Sequence, residues 1–226
     1  MALSTTDLGK EGGSGLPKTI SPGNNTVKIN SVALEEFKFI PGAYHLILNV
    51  ETKPIEGFEG FLIDKDDESK GRYEGQIARV KASQYAFADG QTKSGVPIYR
   101  DKSILMFLQG FCKATGCTEW FQGQDNKHDT IEELIEAFNT DAPFKGKYVE
   151  VCLAGKEYEG KGGYTNYDLW LPKGSKDGYS YAAEGQKVMM YDEATHLKKM
   201  EVKPVDAFDA DEFSVPSRTS SDFSLD

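Results

Sequence analysis

Long apolar runs are missing from this chain. Nothing approaches the roughly 18 consecutive apolar residues that a membrane-spanning helix requires, so no membrane partner is expected. Cysteine is scarce as well. Cys112, Cys117 and Cys152 are odd in number, and the three histidines, His45, His128 and His196, lie far from one another in sequence. That argues against a disulfide framework and against a four-ligand zinc site. The spacing Cys112-x4-Cys117 followed by His128 leaves a partial metal site as the minority reading; buried free thiols are the expected one, and no cofactor is expected. Residues 1–26 hold neither an apolar h-region nor a charged n-region, so no secretory leader is read there and an intracellular protein is expected. Catalytic signatures are missing too: no G-x-S-x-G, P-loop, G-x-G-x-x-G or H-E-x-x-H element occurs. A nucleophile needs a base held by a third group, yet His45 falls in a strand, His128 beside a helix start and His196 in an apparent turn. Glu159-Gly160-Lys161 has the E-x-K spacing of some metal-dependent nucleases, but in a glycine-rich turn rather than on a buried strand that would fix ligands. The expectation is a protein that is not an enzyme.

Positive charge is in deficit: 26 Lys and Arg stand against 36 Asp and Glu, a formal charge of −10 over 226 residues. Six acids and one arginine give residues 206–226 a charge of −5, which leaves −5 for the rest. Phe208, Phe213 and Phe223 are set among Ser, Thr and Pro in that segment. Such a composition cannot bury enough apolar surface to offset the entropy of ordering, so 204–226 reads as a disordered acidic tail, whose aromatic hooks make it a recognition tail or which is simply a solubilising terminus. The rest is acidic too. A polyanionic partner would therefore have to meet a local basic face, not the overall charge.

What the chain does have is short alternating segments. From Val27 to Ser103 they are punctuated by Gly, Pro and Asp, the pattern of consecutive strands. Segment 43–51 places Tyr44, Leu46, Leu48 and Val50 on one face and His45, Ile47, Asn49 and Glu51 on the other. Asp64 to Gly71 reads as a charged hairpin connection. In 76–87 alternation sends Ala78, Val80, Ala82 and Ala86 inward. Ile77, Arg79, Lys81, Ser83, Tyr85 and Phe87 go outward, as a basic and aromatic face. After a loop carrying Lys93, Val96 to Arg100 returns with Tyr99 and Arg100, and Lys102 just beyond.

Residues 104–114 bring Ile104, Leu105, Leu108, Phe111 and Cys112 together at helical spacing, with Asp101 or Ser103 as N-cap and Gly116 as terminator. A second helix starts at Asp129, with Glu132 completing a capping box and Ile131, Leu134, Ile135 and Phe138 as its buried stripe. From Lys147 the β pattern resumes as a long hairpin, with Lys156, Tyr158, Lys161, Tyr164, Tyr167 and Trp170 near its tip and second arm. A further hairpin is read over 187–191 and 196–202. There is no internal repeat. The fold class is mainly β, α+β by content, in three parts: a flexible arm over 1–26, one domain over 27–203 with a helical insert at about 103–139, and the tail.

Rings on which bases stack, with cations beside them, are what single-stranded nucleic acid asks for. Five or so short strands interrupted by a helix before the last hairpin resemble an oligonucleotide-binding (OB) antiparallel barrel. The hairpin GKYVEVCLAGKEYEGKGGYTNYDLWLP (146–172) is similar to the closing hairpin of phage-encoded single-stranded DNA-binding proteins. The resemblance covers 27–175 in pattern and 204–226 in tail character. It implies binding of single-stranded DNA with little sequence preference, in phage replication, recombination or repair, in the cytoplasm of a bacterial host; a homo-oligomer is left open, since the sequence does not set the oligomeric state. It also implies that the tail recruits replication or recombination proteins through Phe208, Phe213 and Phe223 and competes with DNA. Arg79, Lys81, Lys93, Arg100, Lys102, Lys156 and Lys161 would contact phosphates, and Tyr85, Phe87, Tyr99, Tyr158, Tyr164 and Trp170 would offer stacking surfaces. The chain departs from the pattern where Phe223 is followed by Ser224-Leu225-Asp226, and in the size of its helical insert. Two other classes compete: a protein- or glycan-binding virion or interaction module, which the net acidity favours, and a metal nuclease.

Overall fold

Period-two alternation sets the inward face of the first two strands. In β1 (Gly23–Glu36) Val27, Ile29 and Val32 are buried, and in β2 (Tyr44–Thr52) Leu46, Leu48 and Val50 join them in one core. The two strands pair antiparallel from Val27↔Thr52 to Glu36↔Tyr44, with a register shift between Ile29 and Ser31. The structure is a computed structural model, and it describes residues 17–64, 66–160, 164–176 and 178–200.

The remaining elements follow in order. β3 (Phe61–Asp64) and β4 (Asp67–Tyr73) form a small hairpin, β5 (Ile77–Lys81) joins β2, and β6 (Gly90–Gln91) with β7 (Pro97–Ile98) makes a second small hairpin. Helices α1 (Arg100–Ala114), α2 (Thr118–Gln122) and α3 (Ile131–Asp141) come next. Then come β8 (Tyr148–Glu159), β9 (Thr165–Trp170), β10 (Tyr181–Ala183), the single turn α4 (Glu193–His196) and β11 (Leu197–Lys198). Seven strands share one sheet in the order β1-β2-β5-β9-β8-β10, with β11 beside β8. β1 also pairs with β8, from Gly23↔Leu153 to Lys28↔Tyr148. Five ladders therefore return to the strand on which they began: β1–β2, β2–β5, β5–β9, β9–β8 and β8–β1.

The sheet is mixed, not wholly antiparallel as expected. β5 and β9 run parallel through Val80↔Leu169 and Lys81↔Trp170, and β11 runs parallel to β8. A parallel neighbour needs a long crossover, and the helices and β8 provide it between Lys81 and Thr165. Their apolar stripes close the core: Ile104, Leu108, Phe111 and Cys112 from α1, and Ile131, Leu134, Ile135 and Phe138 from α3. Asn139 on α3 ties the insert to β1, accepting from the Val32 N–H at 2.8 Å and donating to the Val32 carbonyl at 2.7 Å. Gly110 on α1 lies against Tyr181, whose ring also meets Phe107 and Phe111; a Cβ there would stand 2.6 Å from the tyrosine oxygen. Buried Glu51 is fully engaged, accepting from the Glu74 and Gly75 N–H groups and from Asn30 while pairing with Lys28 at 3.3 Å. A buried carboxylate needs that many partners.

Several boundaries differ from the sequence reading. Residues 17–26, assigned to the flexible arm, belong to the body: Ile20 is buried, Thr19 bridges Ile77, and β1 begins at Gly23. The charged stretch 64–71 is mostly strand β4. α1 starts at Arg100 with Tyr99 at its N-cap and no side-chain cap, not at Asp101 or Ser103, and Leu105 is exposed. In α3 the cap is Thr130, which accepts from the Glu133 N–H at 3.2 Å while Glu133 accepts from the Asp129 N–H at 2.9 Å. The cap is therefore one residue later than expected, and Glu133 reaches back past it to Asp129, so the reciprocal box of Asp129 and Glu132 does not form. No hairpin forms over 187–200; α4 and β11 stand there instead.

Candidate nucleic-acid interface

The outward face of β2, β5 and β9 collects the charge. Inward alternation commits Leu46, Leu48, Val80 and Leu169 to the core, so His45, Arg79, Lys81 and Asp168 face out. Lys81 Nζ lies 2.7 Å from Asp168, and Asp168 is the ladder partner of Lys156 on β8. Carboxylate and cations thus form a row, Lys81, Asp168, Lys156, across three strands. Arg79 pairs with Glu35, so both β5 cations carry a carboxylate partner. Pairs this exposed contribute about 0.2–1 kcal/mol, a hold that a phosphate can displace.

Two loops flank this face. Residues 37–43 turn tightly through hydrogen bonds from the Phe37 N–H to Ala43, the Ile40 N–H to Phe37 and the Ala43 N–H to Ile40. This turn presents Phe39 at 85% exposure, with Ile40 also exposed. Phe37 meets the Phe39 ring edge-on at 5.4 Å and the His45 ring at 5.2 Å. His45 Nδ1 is buried without a partner among the described residues, and burial, reinforced by Lys81, lowers the histidine pKa while Asp168 and Glu35 oppose the shift. On the other side the β8–β9 hairpin presents Tyr158 and Tyr164, both exposed, with exposed Lys156.

Arg79, Lys81, Lys156, Tyr158 and Tyr164 are thus brought to one sheet surface and its flanking hairpin. Other expected site residues sit elsewhere. The strand read over 76–87 ends at Lys81 and bends, so Phe87 does not face outward; it packs on the core and exchanges backbone hydrogen bonds with Tyr44 at 2.7 and 2.9 Å. Trp170 is on the outer face but only 7% exposed, beneath the Lys198 ammonium. Arg100 is committed to Asp101 at 2.6 Å, the Gly42 carbonyl at 3.2 Å and the Tyr44 ring at 4.8 Å. The Asp101 hydrogen bond holds its pKa above the ordinary value. It is a clasp for the 37–43 turn rather than a free cation. Tyr85 is exposed on the bend, Lys93 on the β6–β7 hairpin, and Tyr99 and Lys102 at the start of α1. Lys161, Phe208, Phe213 and Phe223 lie outside the described residues.

The sequence pattern did not single out Phe37 or Phe39, and weighed His45 only as a catalytic base. A signal was present in Phe37-Lys38-Phe39-Ile40 directly before Pro41-Gly42, since apolar residues crowded into a turn serve no strand alternation. The cysteines are free and buried; burial pushes the Cys112 thiol up to about 12, and Cys152 up to about 11. Cys117 contacts the Pro143 carbonyl at 3.1 Å, and His128 Nε2 lies 3.1 Å from Gln124. Among the described residues no three His, Cys, Asp or Glu gather as a metal site, and no helix is long and apolar enough to cross a membrane. Comparisons with protein-family models, curated proteins and solved structures find no match to this chain.

Proposed function

We propose that the circuit of five ladders is an OB-like barrel, and that its β2–β5–β9 face binds single-stranded DNA with little sequence preference. OB barrels bind oligonucleotides on their second and third strands and on the loops joining strands one to two and four to five. In this circuit those strands are β2 and β5, and those loops are 37–43 and the β8–β9 tip. The observation that carries the proposal is that one sheet face and its two flanking loops hold the exposed rings Phe39, Tyr158 and Tyr164, the exposed cations Arg79 and Lys156, and the half-buried Lys81. Bases would stack on the rings while phosphates replace Glu35 and Asp168 at the cations. The resemblance to phage single-stranded DNA-binding proteins adds replication or recombination as the setting, with the acidic 204–226 segment recruiting partner proteins.

Fluorescence anisotropy with labelled dT oligomers and a matched duplex at two salt concentrations tests this. Single-strand binding whose log affinity falls by about 0.7 per phosphate contact with log salt is expected, with duplex bound far less. No binding at low salt would refute it. A protein-binding module remains the second reading, favoured by one observation: Arg79 and Lys81 are both already paired with carboxylates.

A further inference from the structure

Beside the cationic row the surface opens into a groove of about 780 Å³ between the 82–87 bend and the segments 170–175, 179–181 and 189–198. Trp170, ladder partner of Lys81, lines it with little exposure, so the groove is continuous with the face described above. Three large side chains on its lining are left in water: Tyr85, Tyr179 and Met190, at 75%, 78% and 70% exposure. Apolar surface gathered at one concavity marks a binding site more often than chance exposure does. Most of it is aromatic here.

The charge on the lining favours an anion. Lys173 and Lys198 are exposed and in no ion pair among the described residues. Asp192 is the lone carboxylate among the described lining residues, and it is turned to its own helix. Its oxygens accept from the Ala194 N–H at 3.3 Å and the Thr195 hydroxyl at 2.6 Å. The Asp192 N–H in turn donates to His196 Nδ1 at 3.0 Å. A neutral His196 therefore carries its proton on Nε2, as a donor.

We infer that this groove is a second subsite for the same strand, in which unstacked bases lie against Tyr85 and Tyr179 while Lys173 and Lys198 meet the phosphates. The inference rests on the single-strand proposal. The volume is in the range of small-molecule pockets, enough for about two nucleotides and too small for a duplex. A strand long enough to reach from the β2–β5–β9 face past Trp170 engages both subsites; a short one engages the first face alone, where three exposed rings stand against the groove's two.

The test uses the full chain, with labelled dT4 and dT20 in anisotropy titrations of wild type, Tyr179→Ala and Tyr179→Phe. Tyr179 is exposed, so neither substitution threatens folding. Tyr179→Ala is expected to weaken dT20 by roughly 5- to 150-fold, the range of one lost base stack, and to leave dT4 within about twofold. Tyr179→Phe keeps the ring and should keep the affinity. Unchanged dT20 binding, or an equal loss on dT4, overturns the second subsite while leaving the first face standing. Tighter dT20 binding by Tyr179→Ala overturns it too, because the groove would then hold the chain's own Phe- and Asp-rich C-terminal segment. Failure of wild type to bind either oligomer removes both proposals.

Discussion

Asp168 is where the proposed face can be tested by gain rather than loss. Its carboxylate neutralises Lys81 at 2.7 Å and stands opposite Lys156 in the β8–β9 ladder. A phosphate reaching Lys81 must displace it and then remain near it. Asp168→Asn removes both obstacles and nearly preserves shape. The lost ion pair, with side chains 25% and 45% exposed, releases about 0.2–1 kcal/mol that binding no longer has to overcome. Repulsion between the carboxylate and a phosphate about 6 Å away is roughly 0.7 kcal/mol in water. Screening at 0.1 M salt, with a Debye length of about 10 Å, leaves roughly half of that. The sum is about 0.5–1.4 kcal/mol, a 2- to 10-fold lower Kd for dT oligomers.

Anisotropy at 0.1 M salt reads the change, and a salt titration should steepen by about 0.7 as one more cation becomes available. Asp64→Asn is the control: Asp64 pairs with Lys70 on the separate β3–β4 hairpin and changes net charge equally. It should leave Kd near wild type. Thermal stability of Asp168→Asn should drop by no more than about 2–4 °C, the shift that 1 kcal/mol produces in a domain of this size. Unchanged or weaker binding by Asp168→Asn, or equal tightening by Asp64→Asn, refutes a DNA site on the Lys81 row.

Phe39→Ala should weaken dT binding by about 1–3 kcal/mol without lowering Tm, since the ring is exposed and packs on little; equal affinity in a titration would take the 37–43 turn out of the site. His45 has its folded-state pKa lowered from 6.5 by burial, so below that pH the unfolded chain binds more protons and stability falls as pH falls, levelling off below the folded-state value. Thermal melts from pH 7.5 to 5 should show this decline, and His45→Gln should flatten it. Cys112 and Cys152, whose thiols burial pushes up to about 12 and about 11, should stay silent to Ellman's reagent at pH 8 and titrate only on unfolding, because the thiolate is the reacting form.

The strands and the core were legible because one periodicity governed both. Leu46, Leu48, Val50 and Val80 alternate with polar residues, and Ile131, Leu134, Ile135 and Phe138 recur at helical spacing, so burial followed from spacing alone. The ladders were not legible. Nothing local in 77–81 or 165–170 says that these strands lie side by side and parallel, because that pairing is set by the length and packing of the insert between them. Phe87 was misplaced for a related reason. Alternation carried past Lys81 assigns it outward, but the strand ends there and the bend returns the ring to the core. Arg100 read as a free cation because sequence cannot show that the Gly42 carbonyl and the Tyr44 ring come to meet it.

A face whose cations are already paired has a consequence for what it selects. Duplex DNA offers mainly phosphates, and binding by phosphates alone must overcome the pairs at Arg79 and Lys81 and a formal charge of −10 on the chain. Each gain there is small and shrinks with salt. A single strand offers bases as well, and stacking on Phe39, Tyr158 or Tyr164 is worth about 1–3 kcal/mol per base with little dependence on ionic strength. Under the single-strand proposal the carboxylates are therefore a filter: they weigh most on a ligand that binds through phosphates alone and must use both cations, and less on one that is also held by its bases and can leave a pair intact. Neutralising Asp168 and Glu35 together should then raise duplex affinity by a larger factor than single-strand affinity, narrowing the ratio between the two. A ratio that stays constant while both affinities rise would mean that the pairs tune strength without contributing to the choice of strand.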